Sequence, residues 1–221
     1  GKDGKGVVEF EAQYGVQNVW RKLDVLNADQ YRAFYGSLYS IQDTSTRSPY
    51  SNAFLYRNYQ GNTNWQDQIF RQGSVQNYNL STRGGNEYAK YAINMGYFNE
   101  QGTIINSDFE RYNFGVKTDM SPKKWLTIGQ SLSFSHAISR SGDNGGALNW
   151  ATLASPLGNV YDPNNLGGYG GQSALVLTAP GVNDGTALER ITGANDFVNP
   201  VAILNVNRNR NQRTRMLGNI Y

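Results

Sequence analysis

Apolar and polar residues alternate one for one through six separate stretches of this 221-residue chain, and the connections between them switch between a few residues and several dozen. Successive side chains of a strand project to opposite faces, so each stretch is expected to form a two-faced strand. The predicted strands cover residues 7–16, 75–83, 88–98, 111–120, 125–138 and 213–221. In the first, Val8, Phe10, Ala12, Tyr14 and Val16 share one face and Glu9, Glu11 and Gln13 the other. Ala89, Tyr91, Ile93, Met95 and Tyr97 repeat the pattern in the third; Tyr112, Phe114, Val116 and Met120 do so in the fourth. In the fifth, Leu126, Ile128, Leu132, Phe134 and Ile138 share a face with Gln130 and His136 as exceptions.

The spacing of the connections narrows the architecture further. Gly84 to Glu87 and Ser121 to Lys124 read as tight turns, the second closed by Pro122, which cannot continue a ladder. Residues 17–74, 99–110 and 139–212 are the intervening loops. Short turns on one side and long loops on the other are the pattern of a transmembrane barrel, and strands of about 9–11 residues suit a tilted crossing of the bilayer. No run of 18 apolar residues exists, which argues against a membrane-spanning helix but not against a barrel, whose strands give a weak hydropathy signal. The expected fold is therefore all-β: about six antiparallel strands of a larger transmembrane barrel, with long extracellular loops carrying short helices. Six strands are too few to close such a barrel, so the chain reads as an internal stretch of a larger protein, with any targeting segment outside it.

Composition excludes several alternatives. Only 38% of residues are hydrophobic but 13% are aromatic, which fits neither a large buried core nor a disordered chain. The absence of cysteine removes disulfides, zinc-thiolate sites and thiol nucleophiles. A net charge of +3 is too small to suggest nucleic acid.

Inside the long loops, Asn27 with Gln30 forms a capping-box signature ahead of the helical stripe Tyr31, Phe34, Tyr35 and Leu38. A second helix is predicted over residues 147–154.

His136 is the only histidine, so neither a metal cluster nor a Ser-His arrangement can be assembled, and an interface residue is favoured. Glu9 and Glu11 share a strand face and could mimic a glycosidase pair, but a polar pore wall or a plug contact is favoured. Asp162-Pro163-Asn164-Asn165 offers oxygen ligands without the spacing of a calcium loop, so a turn is favoured. Arg208, Arg210, Arg213 and Arg215 form a basic run for lipopolysaccharide phosphates or lumen-facing salt bridges, with nucleic acid well behind. Trp65, Tyr97, Tyr112 and Trp125 are sugar platforms or girdle residues; Trp125 and Tyr97 are assigned to girdles. Tyr50, Tyr56, Tyr59 and Tyr169 are the candidate ligand or partner contacts, because tyrosine combines flat apolar area with a hydrogen-bonding tip. No catalytic residue, metal site or cofactor is expected, and the chain is not read as an enzyme.

Residues 62–129 carry a more specific signal. Asn64-Trp65-Gln66-Asp67, Gln76-Asn77-Tyr78-Asn79-Leu80-Ser81, Gly84-Gly85, Gly96-Tyr97-Phe98 and Asn106-Ser107-Asp108-Phe109-Glu110-Arg111-Tyr112 follow one another in an order that resembles the first barrel hairpins of SusC/RagA-type TonB-dependent outer-membrane transporters of Bacteroidetes. Residues 4–16 resemble the junction between that family's plug and its first barrel strand, with residues 1–6 as the end of the junction. Leu26-Asn27-Ala28-Asp29-Gln30-Tyr31 resembles its first-loop helix, and Asn199-Pro200-Val201-Ala202 has a counterpart late in its third long loop. The resemblance implies a closed, plugged barrel of roughly 22 strands, a SusD-like surface lipoprotein as lid, energy from the TonB complex, a glycan or peptide substrate, and contact with outer-membrane lipid. The rival reading is a secreted, soluble β-sandwich that binds carbohydrate, which explains the aromatics but not the alternation of short and long connections.

Overall fold

The computed structural model describes residues 4–40, 61–163, 167–170, 198–206 and 209–221. They divide into two compact units, one made of strands and one of helices.

The first unit is a single antiparallel sheet. Its strands are β1 (Gly4–Gln17), β2 (Gly73–Gly85), β3 (Ala89–Gln101), β4 (Asp108–Lys123), β5 (Leu126–Ser141) and β6 (Asn209–Ile220), lying side by side in chain order. It is an up-and-down sheet with β1 and β6 at its edges, not two packed sheets as a sandwich requires. Every strand extends past its alternating stretch at the end that leads into a long connection. Polar residues occupy both faces there, so no alternation marks the strand, yet the backbone ladder continues.

Pro122 corrects the sequence reading in a second way. β4 runs through it to Lys123, and the turn consists of Lys124 and Trp125. The register shifts between the pairs Met120–Ile128 and Lys123–Leu126, so Ser121 and Pro122 together face Thr127. That is a bulge, where the missing N–H of proline costs no ladder bond. Ser121 N–H is satisfied by the Tyr88 carbonyl at 2.7 Å.

The second unit holds α1 (Ala28–Ser40), α2 (Trp65–Ile69), α3 (Asn144–Leu153) and α4 (Pro200–Val206), and α2, α3 and α4 pack on one another. Polar side chains start these helices. Gln30 N–H donates to Asn27 Oδ1 at 2.9 Å and Asn27 N–H to Gln30 Oε1 at 3.0 Å, a complete capping box. Asn64 and Asp143 cap α2 and α3, and Asn199 accepts from Val201 and Ala202 N–H at the head of α4. Replacing Asn27 by Ala should lower the stability of this unit by about 1 kcal/mol; amide exchange in the first turn of α1 would show it.

Among the described residues the buried apolar side chains all belong to this second unit: Ala28, Trp65, Ile69, Ala147, Ala151, Leu157, Val201 and Leu204. Trp65 anchors it, 2% exposed, with its indole N–H donating to the Ser155 carbonyl at 2.9 Å. Gln66 imitates a strand pairing: its amide accepts from Leu23 N–H at 2.8 Å and donates to the Leu23 carbonyl at 2.7 Å. These bonds tie the chain leaving β1 to α2 without a β-partner.

Candidate functional site

Register converts the alternation within each strand into rows across the sheet. One row reads Val8–Thr82–Ile93–Val116–Leu132–Gly218 and the next Phe10–Leu80–Met95–Phe114–Phe134–Met216. The row after that is Ala12–Tyr78–Tyr97–Tyr112–His136–Thr214. All lie on one face and form an apolar band that ends in an aromatic line. Nothing described covers it: Phe10 is 67% exposed and Met216 67%.

The aromatic line is built by cross-strand contact. The rings of Tyr78 and Tyr97 stack at 6.3 Å, and those of Tyr97 and Tyr112 lie 5.1 Å apart. Their hydroxyls reach toward the long-connection end, where Tyr97 and Tyr112 both donate to Glu110 Oε1, at 3.2 and 2.5 Å. His136 joins the line, its Nδ1 2.7 Å from Thr214 Oγ1. Tyrosines with apolar bodies and wet tips are the side chains that settle at a membrane–water boundary. At the other end of the strands stand Tyr88, 63% exposed, and Trp125, 81% exposed. On the face of the band, the eight steps from Ala89 to Tyr97 span about 27 Å of strand, or about 20 Å along the bilayer normal at the usual tilt. An outer-membrane band is about 25 Å tall.

The opposite face is polar and low. One of its rows reads Glu11–Asn79–Gly96–Asn113–Ser135–Arg215, and its neighbour Gln13–Asn77–Phe98–Arg111–Ala137–Arg213. Glu9 accepts from Arg83 at 2.8 Å and Glu11 from Gln13 at 2.8 Å, so both carboxylates are engaged within the polar face. Arg111 lies over the Phe98 ring at 5.6 Å.

The basic run is not one patch. Arg213 and Arg215 belong to the polar face, whereas Arg210 falls on the face of the apolar band, directly opposite Arg140; Arg208 lies outside the described residues. Strand pleating separates neighbours that a linear reading groups together.

In the second unit a cleft of about 300 Å³ is lined by Asp24, Leu26, Tyr31, Phe34, Trp65 and Thr152, among others. Trp65 faces it from the core and is not an exposed sugar platform. Trp20, 98% exposed, stands ahead of it in the chain and escaped the sequence reading because no pattern surrounds it. Of the four candidate tyrosines only Tyr169 is described; Tyr50, Tyr56 and Tyr59 lie outside the described residues. Tyr169 is half-buried against Tyr161, ring centroids 5.7 Å apart, across the small turn that holds Asp162. Asn164 and Asn165 also lie outside the described residues. No group of three metal-ligating side chains occurs among the described residues.

Two helix starts were legible and passed over: Asn64 before Trp65, and Asn199 before Pro200, a cap followed by proline at the first helical position.

No protein-family model matches the chain. Among curated proteins it is 31% identical over 134 residues to TonB-dependent receptor P3 of Formosa agariphila, covering 60% of this chain and 12% of that one. It is 25% identical to TonB-dependent receptor SusC of Bacteroides thetaiotaomicron over an alignment of 230 residues, covering all of this chain and 21% of that one. The chain thus spans only about an eighth to a fifth of the curated relatives it matches. The solved RagAB peptide importer in its closed-closed state shares the fold, with a TM-score of 0.52 at 20% identity over 65% of this chain and 19% of that one. Its open-open state gives 0.51 at 17% identity over the same shares. These likenesses agree with the uncovered apolar band: the chain is similar to part of the barrel of SusC/RagA-type TonB-dependent receptors, which are outer-membrane proteins.

Proposed function

We propose that the parent protein is a TonB-dependent importer of glycans or peptides and that this stretch supplies barrel wall and loops to it. The single observation that supports this most is the apolar band, which is uncovered and ends in a line of tyrosines on the side of the long connections. Only a closed barrel or a helix satisfies every backbone group inside hydrocarbon, and the free edges of β1 and β6 suit pairing with further strands of the same barrel.

In this reading the long connections are extracellular and meet a SusD-like surface lipoprotein. The TonB complex acts through parts of the parent outside this chain. The cleft beside Tyr31 and Phe34, the exposed Trp20 and the candidate Tyr169 suit flat, hydrogen-bonding ligands such as sugars or peptide backbones. Transport requires no bond chemistry, which agrees with carboxylates engaged in the polar wall.

The full-length parent is expected to leave the membrane only with detergent and to bring a surface lipoprotein with it on affinity purification. Recovery of the intact parent in the aqueous fraction would refute the membrane reading. A lone receptor, with uptake of oligosaccharides and peptides unchanged on its deletion, would refute the importer reading.

A further inference from the structure

We propose that Arg140 and Arg210 form a clamp for a phosphate monoester carried on an outer-leaflet lipid headgroup. The proposal rests on the reading that the long connections lie outside the cell. The two residues are directly paired on β5 and β6, in the row Ser74–Gln101–Asp108–Arg140–Arg210. That row is on the face of the apolar band. Paired side chains on neighbouring strands have Cβ atoms about 5 Å apart, and like charges so placed repel.

Nothing described neutralises them. Asp108, opposite Arg140 on its other side, is turned to Arg71 at 2.8 Å. Arg71 is already committed there, donating also to the carbonyls of Gly102 at 3.0 Å and Ser107 at 3.2 Å. No ion pair to Arg140 or Arg210 occurs among the described residues, and both side chains are exposed. Arg210 is held by a neutral group: with the Gln212 amide in the orientation that satisfies both residues, its oxygen accepts from Arg210 Nε at 3.3 Å and Nη2 at 2.8 Å. Gln212 is one row nearer the apolar band, so this contact leans the guanidinium toward the membrane and leaves the outer edge, Nη1 with the second N–H of Nη2, to a forked pair with a ligand.

Height selects the ligand. Arg140 is four residues beyond His136 of the aromatic line, which is about 13 Å along the strand and about 10 Å along the bilayer normal. The polar zone of a leaflet extends about 5–8 Å beyond the hydrocarbon. Arginine stems lie back along apolar surface, so the two guanidinium groups descend into that zone. A doubly charged phosphate monoester there removes the repulsion and accepts two forked pairs, which planar guanidinium matches and ammonium does not. Arg213 and Arg215, on the opposite face, take no part.

The test uses the full-length parent in nanodiscs of phosphatidylcholine doped with lipid A or with its dephosphorylated form, and reads co-retained lipid by native mass spectrometry. Wild type is expected to retain phosphorylated lipid A about tenfold better than Arg140→Gln/Arg210→Gln, the loss due to two charge-assisted contacts. It should show no such preference for the dephosphorylated lipid. Arg213→Gln/Arg215→Gln should match wild type, and Arg140→Lys/Arg210→Lys should fall between, which keeps a readout if the double Gln variant assembles poorly. Equal retention by wild type and the Gln and Lys variants would overturn the proposal. Complete release of lipid A by millimolar inorganic phosphate would overturn the lipid assignment in favour of a free-phosphate site. A wild-type parent that fails to enter nanodiscs at all would instead refute the membrane reading beneath it.

Discussion

Phe134→Arg in the full-length parent is expected to abolish assembly of a membrane-inserted, heat-modifiable barrel, while Ser133→Arg, one residue away, leaves it largely intact. Phe134 is paired with Phe114 on one side and Met216 on the other, in the middle row of the apolar band. An arginine on the lipid face near the bilayer midplane costs about 2–4 kcal/mol, and Phe114 and Met216 lose their apolar cross-strand partner as well. Ser133 is paired with Gly115 and Leu217 on the opposite face, where it is exposed and water can reach a charge. The pair reads the two-faced character of the sheet without changing total charge between variants. Gel migration of unheated membrane fractions measures it. Equal assembly of both variants would show that the apolar face meets no hydrocarbon.

Trp65→Ala is expected to melt the helical unit and leave the strands paired. The side chain is 2% exposed on α2, which packs on α3 and α4, and Ile69, Ala151 and Leu204 are buried on the same three helices. Truncating a buried tryptophan costs about 3–5 kcal/mol, and the Ser155 carbonyl loses its donor too. That is a large share of what so small a core can supply. Limited proteolysis of the full-length parent should cut within residues 20–70 while the barrel keeps its resistance to SDS at room temperature, because ladder hydrogen bonds are made between other residues. Trp65→Phe should cost less, keeping most of the apolar contact and losing one hydrogen bond of about 1 kcal/mol. Protease resistance unchanged in Trp65→Ala would mean that the unit is held by something other than this core.

Much of the candidate site was legible because lipid and water impose a period of two on a strand. Phe10, Met95, Phe114 and Phe134 announce their face by their neighbours alone. Helix starts were legible too, where a short polar side chain precedes a helix: Asn27 with Gln30 was read, and Asn64 and Asn199 carried the same signal unread. What could not be read is the bulge at Pro122. It depends on Ser121 and Pro122 sharing one partner, Thr127, on the neighbouring strand. The polar strand ends were equally invisible, since Ser74, Asn99 and Glu110 look like loop residues until their backbones are seen paired.

Alternation is a property of one strand, set by pleat geometry and solvent, so the chain by itself determined which residues face lipid and which face water. Register is a property of two strands, set by backbone hydrogen bonds between segments that long connections hold apart in the chain. Only the tertiary structure could therefore align Tyr78, Tyr97 and Tyr112 into one line, part Arg210 from Arg213 and Arg215, and set Arg210 against Arg140. Only it could bring together the helices that carry Trp65, Ala151 and Leu204, scattered over two long connections.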